Sequence, residues 1–375
     1  MNIVIVFNSK FAGGSELALL ETVAALHSKG HKLHIVFPES GEMRARVEPY
    51  AASVTILYFN WFTALPPLMS GFRKYWFGKG YFLQALKFIK LLKAVKAEKV
   101  LTNSISTPSA AMAAKFLGIP HYWYLHEFGP EDHNLKFIFG QKFTVGRMAA
   151  MSERVLVNSK AVYNKFKNFM PEAKLKLVYY GVPMQKKEAR AFPDKMSSLN
   201  IVMVGRTAPG KRQEDAVKAL KILRDAGISA TLNLVGRREE KYGNVIDNLA
   251  KELGVQDSLI ITQYTPEPNK IVALADVAVV CSKNEAFGRV TAEAQKTGIP
   301  VVATRSAGTP ELITEGETGL MYEPENYTQL AEQLQRIYNE PGLAARLGAN
   351  GYKFAWNTFS EAKHLADAED ALGLK

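Results

Sequence analysis

Two carboxylates eight positions apart, Glu285 and Glu293, flank Phe287 and Gly288 in the stretch SKNEAFGRVTAE, residues 282–293. The apolar run 277–280 before it reads as a buried strand, and 290–295 after it reads as a helix. Backbone N–H groups of Gly288, Arg289 and Val290 would then stand at a helix N-terminus, where four donors lack intrahelical partners and an anion is stabilised. Glu285 falls in the loop and Glu293 inside the helix, so one carboxylate could reach the sugar end of a ligand and the other a second hydroxyl-bearing group. A glutamate near a helix start is favoured by the dipole in any case, so spacing alone leaves a purely structural role open.

The other candidate groups also follow strand-like runs. After 2–7 come Gly13, Gly14 and Ser15, glycines that let backbone approach a bound group and a serine suited to cap a helix. This is not G-x-G-x-x-G, so the dinucleotide fingerprint is absent. After 200–204 come Gly205, Arg206 and, five residues on, Lys211. Two cations at a strand end can neutralise a diphosphate, the guanidinium as a bidentate fork and the ammonium as a point charge. The spacing is not that of a P-loop, which disfavours ATP hydrolysis. His126 ends the run 121–125 and precedes Glu127. It fits a ligand hydroxyl or phosphate, and equally a buried, satisfied histidine. The seven histidines form no ligand-type spacing, and there is no G-x-S-x-G elbow. No metal site and no covalent nucleophile are expected.

The elements that must position these groups alternate strand and helix through the chain, twice over. Its 375 residues, 47% hydrophobic and 22% charged, suffice for two domains with their own cores. Strands are expected at 2–7, 33–37, 54–57, 100–102, 121–125, 154–157 and 175–179, with intervening helices at 15–28, 81–96, 108–116, 141–150 and 160–169. Residues 184–198 lose the periodicity, as a linker does. The pattern restarts at 200–204, 230–235, 259–262, 277–280 and 301–303. The expected division is therefore 1–183, a linker at 184–198, 199–351, and a C-terminal helical stretch 352–375 whose Phe354, Trp356 and Phe359 would dock on the first domain. Both domains read as α/β, doubly wound and Rossmann-like. Ligands of such open sheets bind beyond the carboxyl ends of the strands, which is where the candidates lie.

No apolar run approaches the roughly 18 residues that span a bilayer, and MNIVIVF reads as a first strand, not a leader. The single cysteine, Cys281, cannot form an internal disulfide, which fits a reducing, cytoplasmic setting. The net charge of +11 is concentrated: residues 71–99 hold eight Lys or Arg against one acid, Glu98. Phe72, Arg73, Lys74, Trp76, Phe77 and Lys79 mix aromatics with cations, as suits the headgroup layer of an anionic membrane. Further on, Phe88, Leu91, Leu92 and Val95 form an apolar arc opposite Lys87, Lys90 and Lys93. That arc also fits an ordinary helix packed on a sheet. No nucleic-acid motif accompanies the charge.

Taken together, Gly13 and Gly14, His126 and Glu127, Gly205 and Arg206 with Lys211, and Glu285-x7-Glu293 with its Phe287 and Gly288 resemble the retaining GT-B glycosyltransferases of family 4. Gly298 to Ala303 and Gly308, Thr309, Pro310, Glu311 extend the likeness. The resemblance implies a GT-B fold, with two Rossmann-like domains facing across a cleft and a C-terminal helix crossing back. It implies that Arg206 and Lys211 hold the diphosphate of a nucleotide-sugar donor and that Glu285 meets hydroxyls of the transferred sugar. Phe287, Gly288 and Val290 would offer backbone N–H groups, Glu293 would take the ribose, His126 would line the donor sugar, and Gly13 and Gly14 would close on phosphate and acceptor. No metal or other cofactor is implied. The acceptor would be a glycan or lipid-linked glycan at the inner face of the plasma membrane, in bacterial surface polysaccharide or glycolipid synthesis. Two departures stand out: Ser15 where the family usually has a smaller residue before Glu16, and the unassigned stretch 127–139. A nucleotide-sugar 2-epimerase of the same architecture, a non-catalytic sugar-nucleotide-binding subunit and a two-lobed binding protein are the rival readings.

Overall fold

The computed structural model describes residues 1–64, 71–105, 107–133 and 135–374, with backbone alone at 64, 71–75, 77, 132 and 133. The chain divides into one unit made of Met1–Pro183 and Ser360–Lys375 and another made of Met184–Phe359.

In the first unit the strands are β1 (Asn2–Val6), β2 (Lys32–Phe37), β3 (Ser53–Ile56), β4 (Thr63–Ala64), β5 (Lys99–Asn103), β6 (His121–Leu125), β7 (Lys136–Phe137), β8 (Arg154–Val157) and β9 (Leu175–Leu177). Its helices are α1 (Gly14–Ser28), α2 (Glu42–Val47), α3 (Gly71–Ala94), α4 (Ser109–Phe116), α5 (Pro130–His133), α6 (Gln141–Met151) and α7 (Lys160–Phe166). The main sheet runs β3-β2-β1-β5-β6-β8-β9, with every pairing parallel. β1 from Ile3 on and β6 throughout are buried, as in a parallel sheet covered on both faces, so no exposed face survives to give a two-residue alternation. β4 and β7 stand apart as a short antiparallel ribbon, Thr63 opposite Phe137.

The helix expected at 81–96 starts ten residues earlier, at Gly71. Gly78 and Gly80 weaken the local helix signal by roughly 1 kcal/mol each. Gly80 is nonetheless suited to its place, since a Cβ there would come within 2.8 Å of the Asn60 side chain. Phe88 and Leu92 are buried with Val4, Val6, Val36 and Val100, so the apolar arc of α3 is a core contact with the sheet. Full burial of each such side chain stabilises the fold by about 1.5–3 kcal/mol.

The second unit holds β10 (Leu199–Val204), β11 (Ala230–Val235), β12 (Leu259–Thr262), β13 (Val277–Val280), β14 (Val301–Thr304) and β15 (Leu320–Tyr322). With them are α8 (Gln213–Asp225), α9 (Glu240–Glu252), α10 (Pro268–Val272), α11 (Arg289–Thr297), α12 (Tyr327–Asn339) and α13 (Leu343–Thr358). Its parallel sheet has the order β12-β11-β10-β13-β14-β15. The order reverses direction at β10, and the ends of β10 and β13 lie side by side there. Residues 184–198 form no helix or strand up to Ser198, yet they are not a free tether. Arg190 pairs with Asp276 at 2.6 Å, and Phe192 packs against both cores of this unit.

The C-terminal expectation needs correction. α13 runs unbroken to Thr358, and Phe354, Trp356 and Phe359 pack within the second unit. Phe359 meets the rings of Phe287 and Phe354 edge-on, and the Trp356 indole donates to the Lys296 carbonyl. The return to the first unit begins at Ser360, whose side chain caps α14 (Glu361–Ala371) by accepting from the Lys363 N–H. There His364 lies 2.6 Å from the Tyr179 carbonyl and 2.9 Å from Thr22 of α1. A new cap marks the handover, and the aromatic cluster before it belongs to the unit being left.

Candidate active site

In the second unit the candidate residues converge on the adjacent ends of β10 and β13. Gly205 leaves β10 at φ +154, and Gly236, leaving β11, lies so close that a Cβ would sit 2.3 Å from the Gly205 carbonyl. The backbone is thereby fixed as it turns into Arg206. The turn at 209–211 is tied to the loop after β13 by the Lys283 N–H donating to the Gly210 carbonyl at 3.3 Å. This brings the Lys211 ammonium to Glu285, 2.6 Å from Oε2, with both side chains partly exposed. Glu285 is held in turn through its carbonyl, which accepts from Gly308 N–H at 2.8 Å. Only glycine fits at 308, because a Cβ would meet the Ala286 carbonyl at 2.3 Å.

Gly288 is the N-cap of α11 in the left-handed region, φ +90, and has no side chain of its own with which to cap the helix. The first turn of α11, whose N–H groups carry the positive end of the helix dipole, follows directly on the Glu285 loop. Phe287 is buried against Phe359, so only its backbone can serve a ligand. Val290 packs on the core. Glu293 pairs with Arg289 one turn back, Nε to Oε1 at 2.7 Å. Arg206 is more than half exposed and reaches Glu239 at 3.3 Å. Arg212, not singled out in the sequence, is committed to structure: its guanidinium grips buried Asp215 bidentately and is held charged by it. Beneath the site, burial pushes the Cys281 thiol up to about 12, which keeps it an unreactive core group.

The remaining candidates, Gly13, Gly14 and His126, lie in the first unit. His126 is buried at the end of β6 with both ring nitrogens engaged: Nε2 lies 2.6 Å from Asn103 Oδ1 and Nδ1 2.7 Å from the Tyr180 hydroxyl. Asn103 uses its amide N–H on Asn8, so its oxygen accepts from Nε2–H. The Tyr180 hydroxyl, itself accepting from Asn158, then donates to Nδ1. This chain fixes the neutral tautomer, and burial lowers the histidine to about 3. His126 is therefore a fixed strut of the strand ends with neither ring nitrogen turned to a ligand.

Sequence reasoning gave Glu16 no role beyond marking a departure, and the structure draws attention to it. It sits in the first turn of α1 and is 4% exposed, its carboxylate accepting from Ser15 Oγ and folding back over Gly13. Oε1 has no hydrogen-bond partner among the described residues. Burial raises this carboxyl to about 7, with the Glu127 charge adding to the effect. An acidic residue two positions after a glycine pair, in the first turn of a helix, was the available signal. Among the described residues no group of three His, Cys, Asp or Glu side chains comes together.

A diphosphate-sized anion suits the second-unit arrangement, where Arg206, Lys211, Glu285 and the start of α11 all follow the ends of β10 and β13. Comparison with known proteins bears on this. The family model of glycosyl transferases group 1 matches residues 184–354, and that of glycosyltransferase family 4 matches 12–186. The D-inositol 3-phosphate glycosyltransferase of Corynebacterium glutamicum is 32% identical over 173 residues, 44% of this chain and 41% of that protein. The capsular polysaccharide biosynthesis glycosyltransferase CapM of Staphylococcus aureus is 28% identical over 158 residues, 42% of this chain and 41% of that one. The chain thus spans about two-fifths of the length of these curated relatives. In fold it matches Anabaena HepE in complex with UDP, with a TM-score of 0.80, 18% identity and full coverage of both chains. With a GT-B-like pair of parallel α/β units, and with both family models together taking in residues 12–354, this chain belongs to the group 1 glycosyltransferases of family 4.

Proposed function

We propose that the chain is a retaining glycosyltransferase that moves a hexose from a nucleotide-diphosphate sugar to a glycan or lipid-linked acceptor at the cytoplasmic face of the membrane. The observation that carries this reading is the Lys211–Glu285 contact in the loop that leads into α11. An ammonium has three donors, so Lys211 can be positioned by Glu285 and still face a diphosphate.

The reaction breaks the bond between the sugar's anomeric carbon and a diphosphate oxygen and forms one from that carbon to the acceptor oxygen. Negative charge grows on the leaving diphosphate. Arg206, Lys211 and the N-terminal dipole of α11 stabilise that charge, which is where fixed donors act most strongly. The acceptor proton passes to an oxygen of the departing diphosphate, so no protein carboxylate has to serve as nucleophile. Glu285 positions Lys211 and the sugar hydroxyls, and Glu293, anchored by Arg289, meets the ribose. The charge of the leaving group is met by protein donors, and we propose that no divalent metal is needed.

The membrane reading draws support from α3, where Trp76, Phe82, Leu83 and Leu86 are exposed beside Lys79, Lys87, Lys90 and Lys93. Lys79 lies over the Trp76 ring at 5.0 Å. The side chains of Phe72, Arg73, Lys74 and Phe77 lie outside the described residues. No helix among the described residues is long and apolar enough to cross a membrane, so contact would be at the surface. Transfer should persist in EDTA, and a product of the donor's own anomeric configuration, read by proton NMR, is expected. Inverted product, or activity that EDTA abolishes and a divalent metal restores, would contradict the mechanism.

A further inference from the structure

The stretch left unassigned in the sequence, 127–139, builds one wall of a surface groove in the first unit. The Ile138 N–H donates to the Phe62 carbonyl at 3.0 Å, and β7 pairs with β4, which sets Phe62 and Phe139 near each other. With Met112 of α4 and Phe143, Arg147 and Met151 of α6 they line a groove of about 240 Å³. Its floor is a relay of rings from core to surface. Trp123 to Phe62 is 6.2 Å, Phe62 to Tyr81 5.8 Å, Tyr81 to Phe139 6.3 Å and Phe139 to Phe143 6.2 Å. Phe143 is 60% exposed and Phe116, at the end of α4, is 75% exposed. Phe143 thus offers an open ring at the mouth of the groove, and Phe116 a second one at the end of the neighbouring helix.

The helices beside the groove carry charge of one sign, whereas the 127–139 wall also holds Glu127, Glu131 and Asp132, of which Glu131 pairs with Lys165. α3, α4 and α6 contain no Asp or Glu, whereas Lys79, Lys87, Lys90, Lys93, Lys115, Lys142 and Arg147 are all on them. Tyr81 joins the groove to α3, packing on Phe62 and Phe139 from one side while its hydroxyl donates to the Trp61 carbonyl. Lys115 bridges α4 to α6 by donating to the Ala150 carbonyl. These helices thus present a basic, aromatic-studded side next to an apolar slot, and among the described residues Arg147 is the one charged residue lining the slot.

We propose that this groove binds one hydrocarbon chain of an anionic lipid, with Arg147 meeting the lipid's phosphate. An apolar slot beside a guanidinium matches an amphiphile whose tail and phosphate are adjacent, a neutral glycan offers nothing to the rings, and a free anion offers nothing to the slot. The inference rests on the reading that the acceptor lies at a membrane, and it adds that the enzyme extracts or grips a lipid tail in addition to touching headgroups. Burial of methylenes is favourable and adds up along a chain, so even a short inserted segment would hold the acceptor in register.

The test uses the full chain and dodecyl phosphate, kept below its micellar concentration and titrated calorimetrically. Saturable binding at one molecule per chain is expected, with inorganic phosphate not binding. Met112→Trp, which fills the slot, should weaken binding at least tenfold. Phe143→Ser, at an exposed position that leaves folding intact, should weaken it about fivefold, and Arg147→Ala should weaken dodecyl phosphate but not neutral dodecyl maltoside. Flotation on anionic liposomes runs in parallel, with Lys87→Glu/Lys90→Glu as the α3 control. Loss of flotation in that control with dodecyl phosphate binding retained supports the groove as a separate site. If the wild-type chain floats but shows no saturable dodecyl phosphate binding, or if Met112→Trp and Phe143→Ser bind as tightly as wild type with native melting, the groove proposal is overturned. If the wild-type chain binds dodecyl phosphate and never floats, the membrane reading alone fails.

Discussion

Lys211 and Arg206 are asked to do the same thing, to meet charge as it develops on a leaving diphosphate, and each should show the cost of its removal in kcat. Lys211→Ala or Arg206→Ala should lose about 3 kcal/mol of transition-state stabilisation, roughly a hundredfold in rate, measured by initial rates with saturating donor. Glu16 gives a different test, because its carboxyl is raised from 4.5 to about 7 by burial. A raised folded value means the folded state holds the proton more tightly than the unfolded state. The stabilisation is therefore complete below pH 4.5 and is lost as pH rises through 7. Burial holds His121 and His126 at about 3, so they act in the opposite sense, weakening the fold as pH falls below 6.5. The difference between Glu16→Gln and wild type isolates Glu16: near equality at pH 5, and at pH 8 a variant more stable by on the order of 3 kcal/mol, read from urea midpoints. At this scale the sequence showed where charged groups follow strands, because that depends only on local order. It could not show that His126 has both nitrogens occupied, since Asn103, Tyr180 and Asn158 come from three other points in the chain.

Elements decide whether those residues arrive together. Gly308 is the tightest case: Gly308→Ala must push the loop that carries Glu285, because its Cβ would overlap the Ala286 carbonyl. Donor KM and the melting temperature of the variant should both worsen, whereas Gly146→Ala, at a helical glycine with open space around it and no left-handed backbone, should leave KM unchanged. Ser360 caps α14, and Ser360→Ala should cost about 1 kcal/mol, measured by denaturation of the full chain. The parallel strands were legible because each is a short apolar run between turn residues. The start of α3 was not legible, since Gly78 and Gly80 interrupt the pattern and only the approach to Asn60 gives Gly80 its reason. Nor was the end of α13: an aromatic run of Tyr352, Phe354, Trp356 and Phe359 shows that a partner surface is needed without showing which. Phe287 and Lys296 in the same unit supply it.

At the level of the whole chain, two α/β units and the return of the C-terminal helix to the first were readable from the doubled strand–helix alternation and the resemblance it carried. From the basic, aromatic face of the first unit and the anion-suited strand ends of the second, we propose acceptor handling by the one and donor handling by the other. Flotation on anionic liposomes should weaken steeply with salt, because exposed charges are screened within about 8 Å at physiological ionic strength. The central claim is that the second unit holds a nucleotide diphosphate through Lys211 and Arg206. The direct measurement is the thermal shift of wild-type and Lys211→Ala chains across a panel of nucleoside diphosphates and their sugars. At a hundred times Kd, a true ligand stabilises by about 2.7 kcal/mol, several degrees in melting temperature. A shift with at least one nucleotide that largely disappears in Lys211→Ala is predicted. Absence of any shift across the panel, or an equal shift in the variant, would contradict it.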